Sequence, residues 1–207
     1  EQALAIQERT LGPEHPNFAR ALNNLAGIRR FQGAHDEARA MYERVLAIRE
    51  ANLPPTHPDL AGALSNLALT YDDREDYARS RRLYERALAI LIQARGSDHA
   101  DVAQCRSNLA SVLEKLGERA QARELYAQAL ASWEKTLGPD NVALALALVG
   151  LGRIAREAGD GAAAVPLLER AVHLRVANPT PPAYVAEAKF ELAKAIGTAD
   201  GARAEGL

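Results

Sequence analysis

The sequence predicts an all-α solenoid, a stack of helix pairs, on three observations. The chain echoes itself every 42 residues: His15, His57 and His99 are separated by 57 − 15 = 42 and 99 − 57 = 42, and a further 42 reaches Asn141. Leu25, Leu67, Leu109 and Leu151 keep the same step, as do Tyr42, Tyr84, Tyr126 and Leu168. Self-similarity at a period of about 20 to 50 residues marks an array whose units bury their apolar faces only against neighbours. Within each period the apolar residues fall at helical spacing, and no stretch alternates with period two for long enough to require a strand. Alanine and leucine dominate, and aromatic residues reach only 5% of the 207, which favours closely packed helices over a sandwich or barrel.

In chain order, residues 1–207 read as a single array. Residues 1–10 match the second helix of a truncated unit, since Glu1 to Glu8 (EQALAIQE) repeats in Glu43 to Glu50 (ERVLAIRE). Units follow at 11–52, 53–94, 95–136 and 137–178, and 179–207 is a partial fifth, with a first helix over Ala183 to Ile196 and a partner reduced to Gly201 to Leu207. Half-units at both ends predict a fragment of a longer chain, with apolar surface open to a neighbour and a route to end-to-end self-association.

Each unit opens with His-Pro or its equivalent. Pro16 and Pro58 suit a first helical position, and His15, His57, His99 and Asn141 stand where an N-cap would. The first helix then carries Leu22, Leu25, Ala26 and Ile28 as one stripe, echoed by Leu64, Leu67, Ala68 and Tyr71. A tight turn follows at Gly33, Gly117 and Gly159, with Glu75 the exception. The second helix begins near Asp36 and buries Ala38, Tyr42, Val45, Leu46 and Ile48. It ends at Gly12-Pro13 or Gly138-Pro139, where glycine takes a left-handed cap and proline cannot continue the helix.

The pattern Leu-x-x-Leu-Ala-x-x-Tyr, then Gly, then Ala-x-x-x-Tyr-x-x-Ala, resembles the tetratricopeptide repeat, whose usual unit is about 34 residues. The 42-residue form, with LGPEHP-type loops and Leu-Asn-Asn-Leu-Ala first helices, is similar to the repeats of kinesin light chain and of bacterial proteins that share them. The Ala/Arg-rich wording looks bacterial. The resemblance implies a right-handed superhelical solenoid of antiparallel helix pairs whose first helices line a concave surface. It speaks to fold more than to biology, because such repeats are grafted onto adaptors, signalling ATPases, proteases and scaffolds alike.

A helix turns about 100° per residue. With Leu22, Leu25, Ala26 and Arg29 pointing inward, the opposite stripe is Arg20, Asn24, Gly27 and Phe31. The expected groove residues, flanking positions included, are Arg20, Asn23, Asn24, Gly62, Ser65, Asn66, Leu69, Asp73, Gln104, Ser107, Asn108, Ser111, Lys115, Leu146, Val149 and Arg153. Asn24, Asn66 and Asn108 form a ladder of mediocre helix formers. An asparagine amide can pair with both the N–H and the C=O of an extended peptide. Equally, each can bond to a neighbouring helix and hold the stack together. In the fourth unit the polar ladder lapses at Leu146, Val149 and Gly150, either as a pocket for an apolar ligand side chain or as a covered surface.

Other signals weigh against chemistry. The repeated histidines stand roughly 10 Å apart across packed helices, too far to share a zinc ion. Gly150 to Ala155 fits a dinucleotide pattern but falls inside a helix rather than between strand and helix. Cys105 has no orienting partners for nucleophilic work, and Trp133 and Tyr84 sit at packing positions. Groove charges of both signs and a net charge of −2 give nucleic acid or an anionic membrane no field to follow. The longest apolar stretch, Val142 to Leu151, is too short to span a bilayer. One cysteine excludes a disulfide framework and fits the cytoplasm.

The function expected is a protein-interaction module that binds an extended peptide or partner segment, of another protein or of its parent chain, with no cofactor, no metal and no catalysis. A regulatory arm of a larger signalling ATPase or protease, and a structural or self-assembling array, are the alternatives.

Overall fold

The computed structural model describes residues 9–10 and 12–205. Among them are nine helices and no strand: α1 (Pro16–Phe31), α2 (His35–Asn52), α3 (Pro58–Asp72), α4 (Tyr77–Arg95), α5 (Ala100–Lys115), α6 (Arg119–Leu137), α7 (Leu144–Glu157), α8 (Gly161–Ala177) and α9 (Pro182–Glu205). The fold class is the all-α helical solenoid that the repeat predicts. Arg9 and Thr10 are helical, and the rest of the half-unit expected at 1–10 lies outside the described residues. At the other end α9 does not stop at Ile196 but runs on to Glu205, because Gly197 takes no positive φ and nothing else breaks the helix there.

The chain divides into two compact units, Glu1–Ser97 and Asp98–Leu207. In the first, α1 packs on α2, α2 on α3 and α3 on α4. Phe18, Ala19, Leu22, Val45, Ile48 and Ala63 make one apolar cluster, and Ala26, Ala38, Tyr42 and Leu67 another. Leu25 and Leu46 are half-buried, and Ile28, expected in the buried stripe, is 55% exposed. In the second unit α5 to α9 pack consecutively, and α7 also meets α5 and α9. Val102, Trp133, Leu144, Leu148 and Leu168 are fully buried there.

Local chemistry sets the helix ends. His15, His57 and His99 each accept through Nδ1 from the amide two residues on, at 3.1, 3.2 and 3.1 Å. Asn141 Oδ1 does the same to the amide of Ala143 at 2.9 Å, with α7 starting one residue later. These side chains satisfy an amide that the first helical turn leaves without a partner. The inter-helix turn needs a positive φ, which glycine supplies at Gly33 (80°), Gly117 (81°) and Gly159 (83°); at the same register Glu75 takes 61°.

The two units are tied internally by matching polar side-chain contacts, 84 residues apart. Arg86 meets Glu50 at 2.7 Å, and Arg170 meets Glu134 at 2.5 Å, with 170 − 86 = 84 and 134 − 50 = 84. His35 meets Asp73 at 3.1 Å, and Arg119 meets Glu157 at 3.0 Å, again 84 apart at both members.

Candidate functional site

The first helices present three rows. The row of Arg20, Gly62, Gln104 and Leu146 is exposed in every repeat. The next row, Asn24, Asn66, Asn108 and Gly150, grades from exposed through half-buried to buried. Leu69, Ser111 and Arg153 are half-buried with Gly27 in a third row, while Lys115 is exposed beyond it.

Asn66 is committed to the stack: its Nδ2 donates to Asn23 Oδ1 at 2.9 Å, from α3 to α1. Asn108 accepts from Gln104 Nε2 at 3.0 Å within α5. Asn24 stands exposed. Asp73 accepts from Arg30 Nε and Nη2 at 2.6 and 2.9 Å. Ser65 is half-buried. Ser107 and Val149 are 4% and 2% exposed, so these two expected groove residues are packed inside the second unit and do not line an open surface.

Each unit holds a cleft beside the exposed row, where a first helix begins and a second helix ends. In the first unit a cavity of ≈190 Å³ is lined by Pro16, Asn17, Arg20, Arg49, Asn52, Leu53 and Asp59. In the second, a cavity of ≈340 Å³ is lined by Gln104, Val142, Ala143, Leu146, Arg175, Pro179, Pro181 and Tyr184. These are the same place in the repeat. Three periods separate Arg20 from Leu146 (146 − 20 = 126), Asn17 from Ala143 (143 − 17 = 126) and Arg49 from Arg175 (175 − 49 = 126).

The framework bonds match as well. Arg49 Nη1 donates to the Asp59 carbonyl at 2.7 Å, and Arg175 Nη1 donates to the Tyr184 carbonyl. Asn52 Nδ2 donates to the carbonyls of Ile48 and Glu14, and Asn178 Nδ2, 126 residues on, donates to those of Leu174 and Asp140. Arg175 is 4% exposed and also meets Glu187 at 2.9 Å. The lining chemistry differs, mixed polar and apolar in the first unit and mainly apolar in the second. The period drew attention to Leu146, but Pro179, Pro181 and Tyr184 escaped it because the loop before α9 is one residue short. Arg175 escaped because Leu91 and Trp133, at its register two periods and one period back, read as core, which hides its match to Arg49.

Behind the first helices lies a buried polar cluster in the second unit. Arg153 Nε and Nη2 fork onto Glu114, the latter at 3.1 Å to Oε2, and the Tyr126 hydroxyl donates to the same oxygen at 3.4 Å. Burial, then the Glu114 charge, pushes the Tyr126 phenol up. At the equivalent position in the first unit, Asp72 Oδ2 accepts from the Tyr84 hydroxyl at 3.5 Å, and its Oδ1 finds no hydrogen-bond donor among the described residues. Burial pushes the Asp72 carboxyl up.

Among the described residues no three His, Cys, Asp or Glu side chains gather as a metal site. Gly150 to Ala155 lie mid-helix in α7, where a dinucleotide loop cannot form. Cys105, Trp133 and Tyr84 are buried. Among the described residues no helix is long and apolar enough to cross a membrane.

The model of the tetratricopeptide repeat matches residues 1–51, 59–135 and 106–175. Of solved structures, BtubC (BKLC) from P. vanneervenii is similar with a TM-score of 0.81 at 24% identity, over 96% of this chain and 81% of that one. A kinesin light chain candidate from Podosopora anserina with nearly identical TPR-like repeats aligns at 0.75 and 26% identity, over 92% and 90%. The apo form of RapI aligns at 0.68 and 14% identity, over 77% and 56%. No curated protein matches the sequence.

Proposed function

The chain belongs to the tetratricopeptide repeat family, whose repeats mediate protein–protein interaction, and from that premise we propose that each of its two compact units binds a segment of a partner protein in the cleft where a first helix begins, and that it performs no chemistry itself. The observation that carries this reading is the pair of equivalent clefts beside Arg20 and Leu146, which share a helix-end framework but not a lining. Arg49 and Arg175 are fixed by backbone carbonyls, so each cleft is formed before a ligand arrives, and little ordering entropy opposes binding.

The chemistry of the linings sets the ligand. The first unit offers Arg20, Asn17 and Asp59, which suit polar or charged side chains and peptide groups. The second offers Val142, Leu146, the two prolines and the Tyr184 ring, which suit a bulky apolar side chain. A segment of mixed character fits this protein better than nucleic acid, given the net charge of −2. The lone buried Cys105 fits a reducing compartment, and we place the module in the cytoplasm.

A peptide library displayed against the whole chain tests the reading. Captured peptides should share one bulky apolar residue, and Leu146→Glu should weaken them about tenfold or more, since a buried charge facing an apolar side chain costs above ~1.4 kcal/mol. Arg20→Glu should weaken those peptides that carry an acid. Capture that survives both substitutions places the binding surface elsewhere and overturns the proposal.

A further inference from the structure

Two opposite charges line the cleft of the first unit without pairing, and we propose that this cleft takes a peptide segment that carries an acid and a base close together, the acid on Arg20 and the base on Asp59. Such selection presupposes the peptide role of the cleft. Arg20, on α1, and Asp59, in the first turn of α3, border the same ≈190 Å³ cavity, and both are exposed. Among the described residues neither side chain makes an ion pair or a hydrogen bond, with the other or with any third group. Asp59 joins the frame through its backbone alone: its amide donates to His57 Nδ1 at 3.2 Å, and its carbonyl accepts from Arg49 Nη1 at 2.7 Å. Other arginines of the unit are paired, Arg30 with Asp73, Arg74 with Asp36 and Arg86 with Glu50.

A ligand with a single charge is opposed in this cavity, because a lone acid meets Asp59 and a lone base meets Arg20. A segment that brings both charges completes two ion pairs and faces no like charge. The seat for its main chain is Gly62, one turn on from Asp59 and at the register of Arg20 in the next repeat (62 − 20 = 42). Gly62 is exposed in mid-helix and takes no positive φ, and a Cβ there would meet only Arg49 Nη1 at 3.7 Å, an ordinary contact. The fold gives no reason for a glycine, which weakens a helix relative to alanine. A bare backbone lets a peptide main chain approach closely. In the second unit Leu146 and Tyr184 replace Arg20 and Asp59, so the charge selection belongs to the first unit alone.

Peptides captured from a displayed library by the whole chain, then synthesised and titrated by fluorescence anisotropy, test this. Those whose capture depends on Arg20, as judged by Arg20→Glu, should carry both an acid and a base. Replacing the base by Gln should weaken binding to the wild type about threefold, the size of an exposed ion pair, and should change nothing in the Asp59→Asn variant. Gly62→Ala should raise the thermal midpoint by about 2 °C or more, because alanine is the better helix former, yet weaken the same peptides by a similar factor of about three. Arg20-dependent peptides that carry no base, or a base whose removal costs the wild type and Asp59→Asn equally, overturn the charge selection and leave the cleft a peptide site. A Gly62→Ala variant that binds as tightly as the wild type overturns the seat. Capture that Arg20→Glu leaves intact removes the first cleft as a site and the selection with it, while the second cleft stands or falls with Leu146→Glu.

Discussion

The cleft of the first unit and that of the second are one design with two linings. Arg49 and Arg175 hold the same kind of backbone carbonyl, and Asn52 and Asn178 bond the same pair of carbonyls, three periods apart. Around that frame Asn17, Arg20 and Asp59 give way to Ala143, Leu146 and Tyr184. Residues that satisfy buried backbone groups cannot vary without leaving an acceptor unpaired. The side chains that face the opening satisfy no buried backbone group, so chemistry can diverge there without leaving an acceptor unpaired. The difference teaches which residues to read for stability and which for recognition.

Substituting the two arginines breaks the comparison most directly. Arg175 is buried and bonds both a carbonyl and the partly exposed Glu187, so Arg175→Met should cost about 2 kcal/mol, mainly because the carbonyl loses its charged donor. Arg49 is half-buried and bonds a carbonyl, and Arg49→Met should cost about 1 kcal/mol. Chemical denaturation measures both, and equal losses would show that the burial of Arg175 and its contact with Glu187 add nothing to the frame the two clefts share.

The inter-helix turns sharpen the comparison at smaller scale. Gly117 and Gly159 serve the second unit, whereas the first unit pairs Gly33 with Glu75 at φ 61°. A side chain in that region is disfavoured by about 1 kcal/mol, so Glu75→Gly should stabilise the first unit by up to that amount. Gly159→Glu should destabilise the second by a similar amount. A Glu75→Gly variant that melts at or below the wild-type temperature would show that Glu75 makes compensating contacts.

This turn was legible in the sequence, as were the helix pairs, the histidine caps and the buried faces of the second helices, because each follows from a local rule repeated at 42 residues. The groove was legible only in part. Asn66 stood out by recurrence, but whether its amide meets a ligand or a neighbouring helix depends on the spacing between α1 and α3, which no single helix encodes; it bonds Asn23. Ser107 and Val149 flank the exposed stripe of their helices, and packing within the second unit buries them, which a single helix does not encode. Tyr184 and the prolines before it were missed because they follow a one-residue deletion, where the period no longer points to them.

The smallest effect concerns the carboxylates at matched positions, Asp72 and Glu114 (114 − 72 = 42). Glu114 is forked by Arg153 and receives the Tyr126 hydroxyl, whereas Asp72 receives the Tyr84 hydroxyl and has one buried oxygen without a hydrogen-bond donor among the described residues. Burial raises the Asp72 carboxyl above its ordinary 3.8, so between the unfolded and folded values the native state binds more protons than the unfolded chain. Stability should therefore fall as pH rises through that window, with the penalty complete above the folded value. Asp72→Asn removes the titration. The variant should match the wild type near pH 3 and exceed it at pH 7 by well under about 1 kcal/mol, since part of the carboxyl still reaches solvent. Denaturation midpoints of both proteins from pH 3 to 7 would show the gap opening with pH; a constant gap, or one that closes, would mean that the Ser80 and Tyr84 hydroxyls and the nearby Arg30 charge compensate the buried carboxylate and that the two carboxylates are equally well served.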